Sequence, residues 1–231
     1  MTASPPQQKP PRDRTSFSAA LVIALLSAGI AGGGAFLLLG RAPPPPLEKL
    51  AAAPVGCILD PPARIGGAIS LINQAGARVS EASFAGAPAL VYFGFTRCPD
   101  ICPTTLTLIA QTLPLLGPAG AQLQTVLITV DPDRDTPDTL DSYLSTEGFP
   151  PRLSGLTGTQ DEIAAAARAF AVNYQRAEQG HDYTMNHTSF VYLMDEAWRP
   201  RAMMSTIGRS PEELAACLRD GLATAPAAQN R

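Results

Sequence analysis

The stretch ALVYFGFTRCPDICP, residues 89–103, decides how this chain folds. Its first seven residues form an unbroken apolar run, which is typical of a strand buried on both faces of a central sheet. The second half carries Cys98 and Cys102, each followed directly by a proline. Because a proline disfavours helical angles in the residue before it, we expect a bent loop between the cysteines and a regular helix beginning near Pro103. Such a loop would point both sulfurs outward at one end of the sheet.

The segments around this stretch predict alternating strands and helices. Residues 69–72 and 78–80 predict a hairpin, and the β-branched segment 125–130 predicts a second buried strand. Helical spacing or helix-start residues occur in four segments: 104–116, 136–138, 159–170 and 210–222. Residues 188–194 and 201–205 predict two further strands that pair as a hairpin. This order predicts an α/β domain with a mixed central sheet.

The N-terminal part of the chain predicts a membrane anchor. The 231 residues include only 16% charged side chains, and residues 17–40 contain none. A helix of that length reaches about 36 Å, enough to cross the hydrocarbon core of a bilayer. The alternative is a cleaved signal peptide, since residues 31–35 resemble a small-residue cleavage site. Apolar residues resume beyond that site, which favours the anchor, and both alternatives export the remaining chain.

Four regions follow from these patterns. We assign residues 1–16 to a cytoplasmic disordered tail, 17–40 to a single transmembrane helix, 41–64 to a proline-rich linker and 65–231 to the folded domain. The positive-inside rule keeps the tail in the cytoplasm and places the domain on the exported, periplasmic side of the cytoplasmic membrane. A formal net charge of −3 leaves no basic surface for nucleic acid, so no nucleic-acid partner is expected.

The cysteine pair suggests thiol chemistry. A helix N-terminus stabilises a thiolate, the form needed both for disulfide exchange and for binding a soft metal. The alternatives are two buried cysteines or a permanent structural disulfide. Two thiolates with the imidazole of His187, which precedes a predicted strand, suit Cu(I) and could also hold Cu(II) or Zn(II). The other two cysteines, Cys57 and Cys217, either pack as small apolar residues or form a disulfide.

Three blocks of this sequence carry a family resemblance. They are GFTRCPDICP at 94–103, TVDPDRDTP at 129–137 and HTSFVYL at 187–193. In this order they resemble the signature of the Sco/SenC family, whose members are membrane-anchored, thioredoxin-like copper proteins. That family helps to assemble the CuA centre of cytochrome c oxidase. The resemblance covers about residues 65–222 and implies a thioredoxin-like fold for the domain.

The resemblance also implies a metal site. Cys98 and Cys102 match the copper-binding redox thiols, His187 matches the histidine ligand, and Asp131 matches an acidic residue near the site. Asn186 stands where the family often carries an acid before the histidine. The implied partners are the CuA domain of oxidase subunit II, other copper carriers or thiol reductants, and the membrane.

Two functions remain open at this point. The first is a copper chaperone that binds Cu(I) or Cu(II) and delivers it to the CuA site. The second is a thiol–disulfide oxidoreductase that reduces the CuA-site cysteines of the oxidase through Cys98 and Cys102. Disulfide exchange needs no histidine ligand, so His187 discriminates between the two functions.

Overall fold

The computed structural model describes residues 55–62 and 64–223. The predicted tail, the predicted membrane helix and residues 41–54 of the predicted linker lie outside these residues. In the described part, no helix has both the length and the apolar composition needed to cross a membrane.

Ten strands and five α-helices lie within the described ranges. The strands are β1 Cys57–Leu59, β2 Ser70–Asn73, β3 Arg78–Ser80, β4 Ala89–Gly94, β5 Gln124–Thr129, β6 Leu153–Thr157, β7 Tyr174–Gln179, β8 Asp182–His187, β9 Phe190–Met194 and β10 Pro200–Ser205. The helices are α1 Ile101–Thr112, α2 Pro118–Gln122, α3 Pro137–Leu144, α4 Gln160–Ala169 and α5 Pro211–Ala223. Short 3₁₀ turns occur at Glu81–Phe84 and Leu113–Leu116.

Eight of these strands form one mixed sheet in the order β1-β10-β9-β4-β5-β6-β2-β3. The pairs β4–β5 and β5–β6 are parallel, and the other neighbours are antiparallel. All six residues of β4 are buried, which confirms the predicted central strand. Because β4 and β5 run parallel, the loops after Gly94 and Thr129 leave the sheet at the same edge.

Both faces of β4 are covered, because side chains alternate between the faces of a strand. On one face, the ring of Phe93 lies 5.4 Å from the ring of Phe170, which follows α4. On the other face, a Cβ added to Gly94 would stand only 3.0 Å from the Cys102 sulfur. Glycine at this position therefore leaves room for the first turn of α1.

The hairpin and the helix starts agree with the sequence-based predictions. β2 and β3 pair antiparallel, as predicted for residues 69–80. The Thr136 hydroxyl accepts a hydrogen bond from the Thr139 N–H at the start of α3. Capping boxes also form at the start of α4, between Thr159 and Glu162, and before α5, between Ser210 and Glu213. These local signals are confirmed.

The folded domain begins before the predicted boundary at residue 65. Strand β1 falls within the stretch assigned to the linker and pairs with β10 at the edge of the sheet. Cys57 in β1 forms a disulfide with Cys217 in α5, with their Cα atoms 5.7 Å apart. The disulfide joins the first strand to the last helix, so residues 57–59 belong to the domain and not to the linker.

Besides β1, three further strands were not expected from the sequence. β6 extends the sheet beside β5. β7 and β8 pair only with each other and form a separate two-stranded sheet. Residues 178–182, which suggest a polar loop by composition, supply the tip of this second hairpin, and His187 ends its last strand.

Candidate metal centre

Cys98 and Cys102 lie between the end of β4 and the first turn of α1. Cys98 is half-buried in the connecting loop, and Cys102 is fully buried in the first helical turn. The expectation that the helix begins near Pro103 is wrong by two residues, because α1 begins at Ile101. Proline fits in a first turn, where its missing N–H would have no helical partner. The prediction that both sulfurs point outward is therefore wrong for Cys102.

His187 meets the cysteine pair from the end of β8. Its Nε2 lies 3.6 Å from the Cys102 sulfur, and its Nδ1 lies 3.0 Å from the Thr188 carbonyl oxygen. A carbonyl can only accept a hydrogen bond, so Nδ1 carries the proton and donates it. In the neutral ring the lone pair is then on Nε2 and faces the sulfur, which is the orientation that a metal-binding imidazole needs. When Nε2 also carries a proton, it can instead donate to the Cys98 thiolate.

The separation of Cys102 and His187 fits a shared metal ion. A thiolate about 2.3 Å and an imidazole nitrogen about 2.0–2.1 Å from one ion stand roughly 3.5–3.8 Å apart at tetrahedral or trigonal angles. The observed 3.6 Å lies in that range. Among residues 55–62 and 64–223, however, no three His, Cys, Asp or Glu side chains stand together as a ready metal-holding group. The structure thus brings Cys102 and His187 into ligand spacing, with Cys98 beside them.

The two thiols have opposite electrostatic properties. The pKa of Cys98 is lowered to about 4, first by the hydrogen bond from the Cys102 thiol and further by His187 and the Cys102 N–H, 3.3 Å from its sulfur. The pKa of Cys102 is raised by its hydrogen bond to Cys98 and by burial. At neutral pH the pair therefore consists of a thiolate at Cys98 and a protonated thiol at Cys102.

Aromatic rings surround the imidazole. The ring of Phe95 stands edge-on to His187 at a centroid distance of 5.9 Å, and the ring of Tyr92 does so at 6.2 Å. Burial is the largest cause that raises the pKa of Tyr92, and the neighbouring Cys102 adds to it. The Tyr92 hydroxyl therefore stays protonated, and the inner side of the cysteine pair is enclosed by neutral groups.

Asp131 lies near this edge of the sheet, but its carboxylate binds other partners. It accepts hydrogen bonds from the Tyr183 hydroxyl at 2.9 Å and from the Arg134 guanidinium. Its side chain is nearly buried, at 3% exposure. Asp131 therefore supports the hairpin that carries His187.

Asp135 lies in the turn after β5, but its side chain is not solvated. The residue is fully buried and accepts hydrogen bonds from the Thr96 N–H, the Thr96 hydroxyl and the Thr129 hydroxyl. Thr96 stands two residues before Cys98, so Asp135 fixes the start of the cysteine loop. In the sequence, Asp135 is an acid that precedes the capping residue of a helix, and this position does not indicate that it is buried.

The remaining candidates lie around the site. His181 is exposed at the turn of the β7–β8 hairpin. Asn186 is exposed and adjacent to His187 on β8, so the two side chains point to opposite faces. Arg97 is exposed and lies 3.7 Å from Asp182 of the hairpin. Cys57 and Cys217 are joined to each other and take no part in the site.

The fold and the cysteine pair define a class of protein. The mixed sheet, with a half-buried and a buried cysteine at the start of the helix after its central strand, is that of a thioredoxin-like dithiol protein. A family model described as SCO1/SenC matches residues 59–223. The chain therefore belongs to the SCO1/SenC family, and the resemblance seen in the sequence is confirmed.

Individual relatives extend over most of the domain. The SCO2-like protein of Rickettsia felis is 39% identical over 151 residues, which are 64% of this chain and 72% of that protein. The structure of Bradyrhizobium japonicum ScoI with copper bound is 41% identical, with a TM-score of 0.59 over 67% of this chain and 98% of its own. The structure of Arabidopsis thaliana ScoI with copper bound is 34% identical, with a TM-score of 0.64 over 68% of this chain and 98% of its own. The thioredoxin-like mixed α/β fold is thereby confirmed.

Proposed function

We propose that this protein binds copper in the assembly of cytochrome c oxidase, with Cys98, Cys102 and His187 as ligands, and delivers it to the CuA site of subunit II. The observation that carries the proposal is the 3.6 Å separation of the Cys102 sulfur and His187 Nε2 beside the Cys98 thiolate. Family membership supports it, as do the two ScoI relatives solved with copper bound. The metal is cargo that the chain receives and passes on.

The three side chains suit this cargo chemically. Thiolates and an imidazole favour copper over hard cations such as Mg²⁺, and three protein ligands leave the ion open to a ligand from a recipient protein. Cys98, half-buried in a loop, completes the set by a small shift toward the Cys102–His187 pair. Binding also displaces the proton held by Cys102, so copper affinity should rise with pH.

The membrane anchor is part of the proposal. Residues 17–40 would form a single transmembrane helix that holds the domain on the periplasmic side. Protease treatment of intact and opened spheroplasts tests this placement. The domain should be digested in both preparations, and protection in intact spheroplasts would contradict the placement.

A second candidate function is thiol–disulfide exchange with the cysteines of the CuA site. The observation in its favour is the division of roles between a half-buried thiolate at Cys98 and a buried thiol at Cys102. A reactive thiolate can attack a disulfide in a target, and the second thiol can then release the target. Cys98→Ser would abolish this exchange, whereas His187→Ala would leave it in place.

Anaerobic competition for Cu(I) tests the main proposal. The reduced full-length protein is titrated against a chelator of known affinity, beside the Cys98→Ser and His187→Ala variants. The matched control is His181→Ala, which removes the exposed histidine at the hairpin turn. We expect one tightly bound copper, at least tenfold weaker binding in the first two variants and no change in the control. A folded, reduced protein that does not compete for Cu(I) would transfer the proposal to thiol–disulfide exchange.

A further inference from the structure

The β7–β8 hairpin depends on side chains for its position. Its two strands pair only with each other and not with the main sheet. At its base, the Thr188 N–H donates to the Asn173 carbonyl oxygen at 2.9 Å, which closes the hairpin but does not orient it. His187 is the last residue of β8, so the direction of the hairpin sets where its imidazole lies.

Tyr183, near the tip of the hairpin, is held on both faces of its ring. The guanidinium carbon of Arg134 lies 3.6 Å from the ring centroid, and that of Arg176 also lies 3.6 Å away. The ring quadrupole attracts a cation placed over either face, and more strongly where the cation is shielded from water. The Tyr183 hydroxyl also donates to the Asp131 carboxylate at 2.9 Å.

Arg134 ties this stack to the main sheet. Its guanidinium is 12% exposed and pairs with Asp131, which follows β5. It also donates to the Tyr183 carbonyl oxygen at 2.9 Å and to the Asp182 carboxylate at 3.0 Å. One largely buried cation thus joins the loop after β5 to two consecutive residues of the hairpin.

Tyr183 and His187 act on the same side of β8. Residues separated by four positions in a strand share a face, and these two stand about 13 Å apart along the strand. Tyr183 contacts the Asp131 loop on this face, while His187 faces Cys102. The tip and the base of one strand are therefore both fixed against the edge of the sheet that carries the metal centre.

We propose that Tyr183 is a positioning residue: its ring between Arg134 and Arg176, with its hydroxyl on Asp131, holds the β7–β8 hairpin so that His187 stays at ligand distance from Cys102. The inference deepens the proposed function, since its effect on copper rests on His187 being a ligand. Its effect on the hairpin itself does not depend on any metal.

Amide hydrogen exchange in the metal-free, reduced full-length protein tests the hairpin directly. Tyr183→Leu removes the stack and the hydroxyl, and should speed exchange at least tenfold at those β8 amides that are hydrogen-bonded to β7. Tyr183→Phe keeps the ring between the two guanidinium groups and should give a smaller increase. His181→Ala at the turn is the matched control and should change nothing. Unchanged β8 exchange in Tyr183→Leu would overturn the proposal.

A double-mutant comparison of Cu(I) affinity tests the consequence for His187. Tyr183→Leu should weaken Cu(I) binding at least fivefold in the native background and less than twofold in a His187→Ala background, because no imidazole then remains to be positioned. Equal weakening in both backgrounds would show a general structural role and overturn the positioning role. If His187→Ala alone binds Cu(I) as tightly as the native protein, the ligand assignment fails, and the exchange measurement still decides whether Tyr183 holds the hairpin.

Discussion

Cys98 and Cys102 differ because a loop holds one and a helix holds the other. The loop leaves Cys98 half-buried, where the Cys102 thiol, His187 and the N–H groups of the first helical turn all stabilise its charge. Cys102 lies inside that turn against Tyr92 and Gly94, where its hydrogen bond to Cys98 and its burial both oppose ionisation. The same pair can therefore start either reaction discussed above, metal capture or attack on a disulfide, through Cys98.

Alkylation of Cys98 should reveal its lowered pKa. In the metal-free protein with the Cys98–Cys102 pair reduced, the rate of reaction with iodoacetamide should be half-maximal near pH 4 and level well below pH 7, because the thiolate predominates above a pKa of about 4. An ordinary cysteine gives a midpoint near about 8.5. Peptide mass spectrometry across a pH series measures the rate at Cys98 alone.

The causes of that shift can be separated by substitution. Cys102→Ala removes the largest cause and should move the Cys98 midpoint far upward, whereas His187→Ala removes a smaller cause and should move it less. A native midpoint at the ordinary cysteine value would contradict the hydrogen-bonded arrangement of the pair.

Asp135 should make stability depend on pH. Burial raises its pKa above the unfolded value of about 3.9, so the folded state favours the protonated carboxyl. That contribution is fully present below about pH 3.9 and is lost as pH rises through the folded pKa. Asp135→Asn, which resembles the protonated form, should equal or exceed the native protein in stability at pH 7, and the difference should shrink as pH falls. Calorimetric unfolding from pH 3 to pH 8 measures it.

A matched variant shows whether the hydrogen bonds of Asp135 matter. Asp135→Ala leaves the Thr96 N–H and the Thr129 hydroxyl without their acceptor, and should cost about 1–3 kcal/mol. A stability of Asp135→Asn well below native at pH 7, equal to that of Asp135→Ala, would mean that the charge itself is required.

At the scale of elements, the sequence predicts the strands and helices whose signals lie within a few neighbouring residues. The apolar run of β4 and the capping residues of α3, α4 and α5 each specify their structure within a few residues. The β7–β8 hairpin, with the sequences YQRAEQ and DYTMNH, carries no run of apolar residues, although Tyr174 and Met185 pack against the core. In β6, Gly155 packs closely against α3 and interrupts the apolar pattern.

The site is predictable to the same extent. Cys98, Cys102 and His187 are identifiable because thiols and imidazoles are scarce in this chain and their blocks carry the family resemblance. The burial of Cys102 cannot be predicted from the sequence, because it depends on α1 beginning before Pro103. The burial of Asp135 and the stacking of Tyr183 arise from contacts between segments that are distant in the sequence. Local sequence patterns do not predict such contacts.

Helix α5 should resist a substitution that helix propensity favours. Gly221 lies inside α5, and alanine is about 1 kcal/mol better than glycine in a helix interior. A Cβ at Gly221 would stand 2.9 Å from the Ala202 Cβ and 2.8 Å from a Leu193 methyl group. Overpacking of this kind costs about 1–3 kcal/mol, so Gly221→Ala should lower stability on balance. Urea unfolding measures the net effect.

The effect of helix propensity alone, alanine against glycine, can be measured on the same helix. Ala216, which is partly exposed in α5, gives the matched control, and Ala216→Gly should cost about 1 kcal/mol. If Gly221→Ala were more stable than the native protein, the close packing of α5 on β9 and β10 would be wrong.

At the scale of the whole domain, the candidate metal centre and the start of β1 share one end of the sheet. β1 runs antiparallel to β10, β10 to β9, and β9 to β4, so the start of β1 lies at the edge where β4 ends. Val55, just before β1, is 79% exposed, and Ile207 after β10 is 61% exposed. Val55, the first residue that the structure describes, therefore lies at the same end of the sheet as the candidate metal centre.

The Cys57–Cys217 disulfide should contribute much of the stability of the domain. It closes a loop with a sequence separation of 160 residues, for which the chain-entropy treatment gives about 5 kcal/mol and measured bonds about 2–4 kcal/mol. The Cys57→Ala, Cys217→Ala double variant should lose about 2–5 kcal/mol of unfolding free energy. Trp198, the single tryptophan and 7% exposed, reports unfolding in urea by its fluorescence.

Reduction supplies the control for this bond. A thiol reductant should lower the unfolding free energy of the native protein and leave the double variant unchanged, because only the native protein has the bond to lose. β1 contributes just three residues to the sheet edge, so its strand pairing alone is too short to hold it, and the bond to α5 keeps it in place. If reduction left the native unfolding curve where it was, β1 would be held by its pairing with β10, and the entropic contribution of the bond would be negligible.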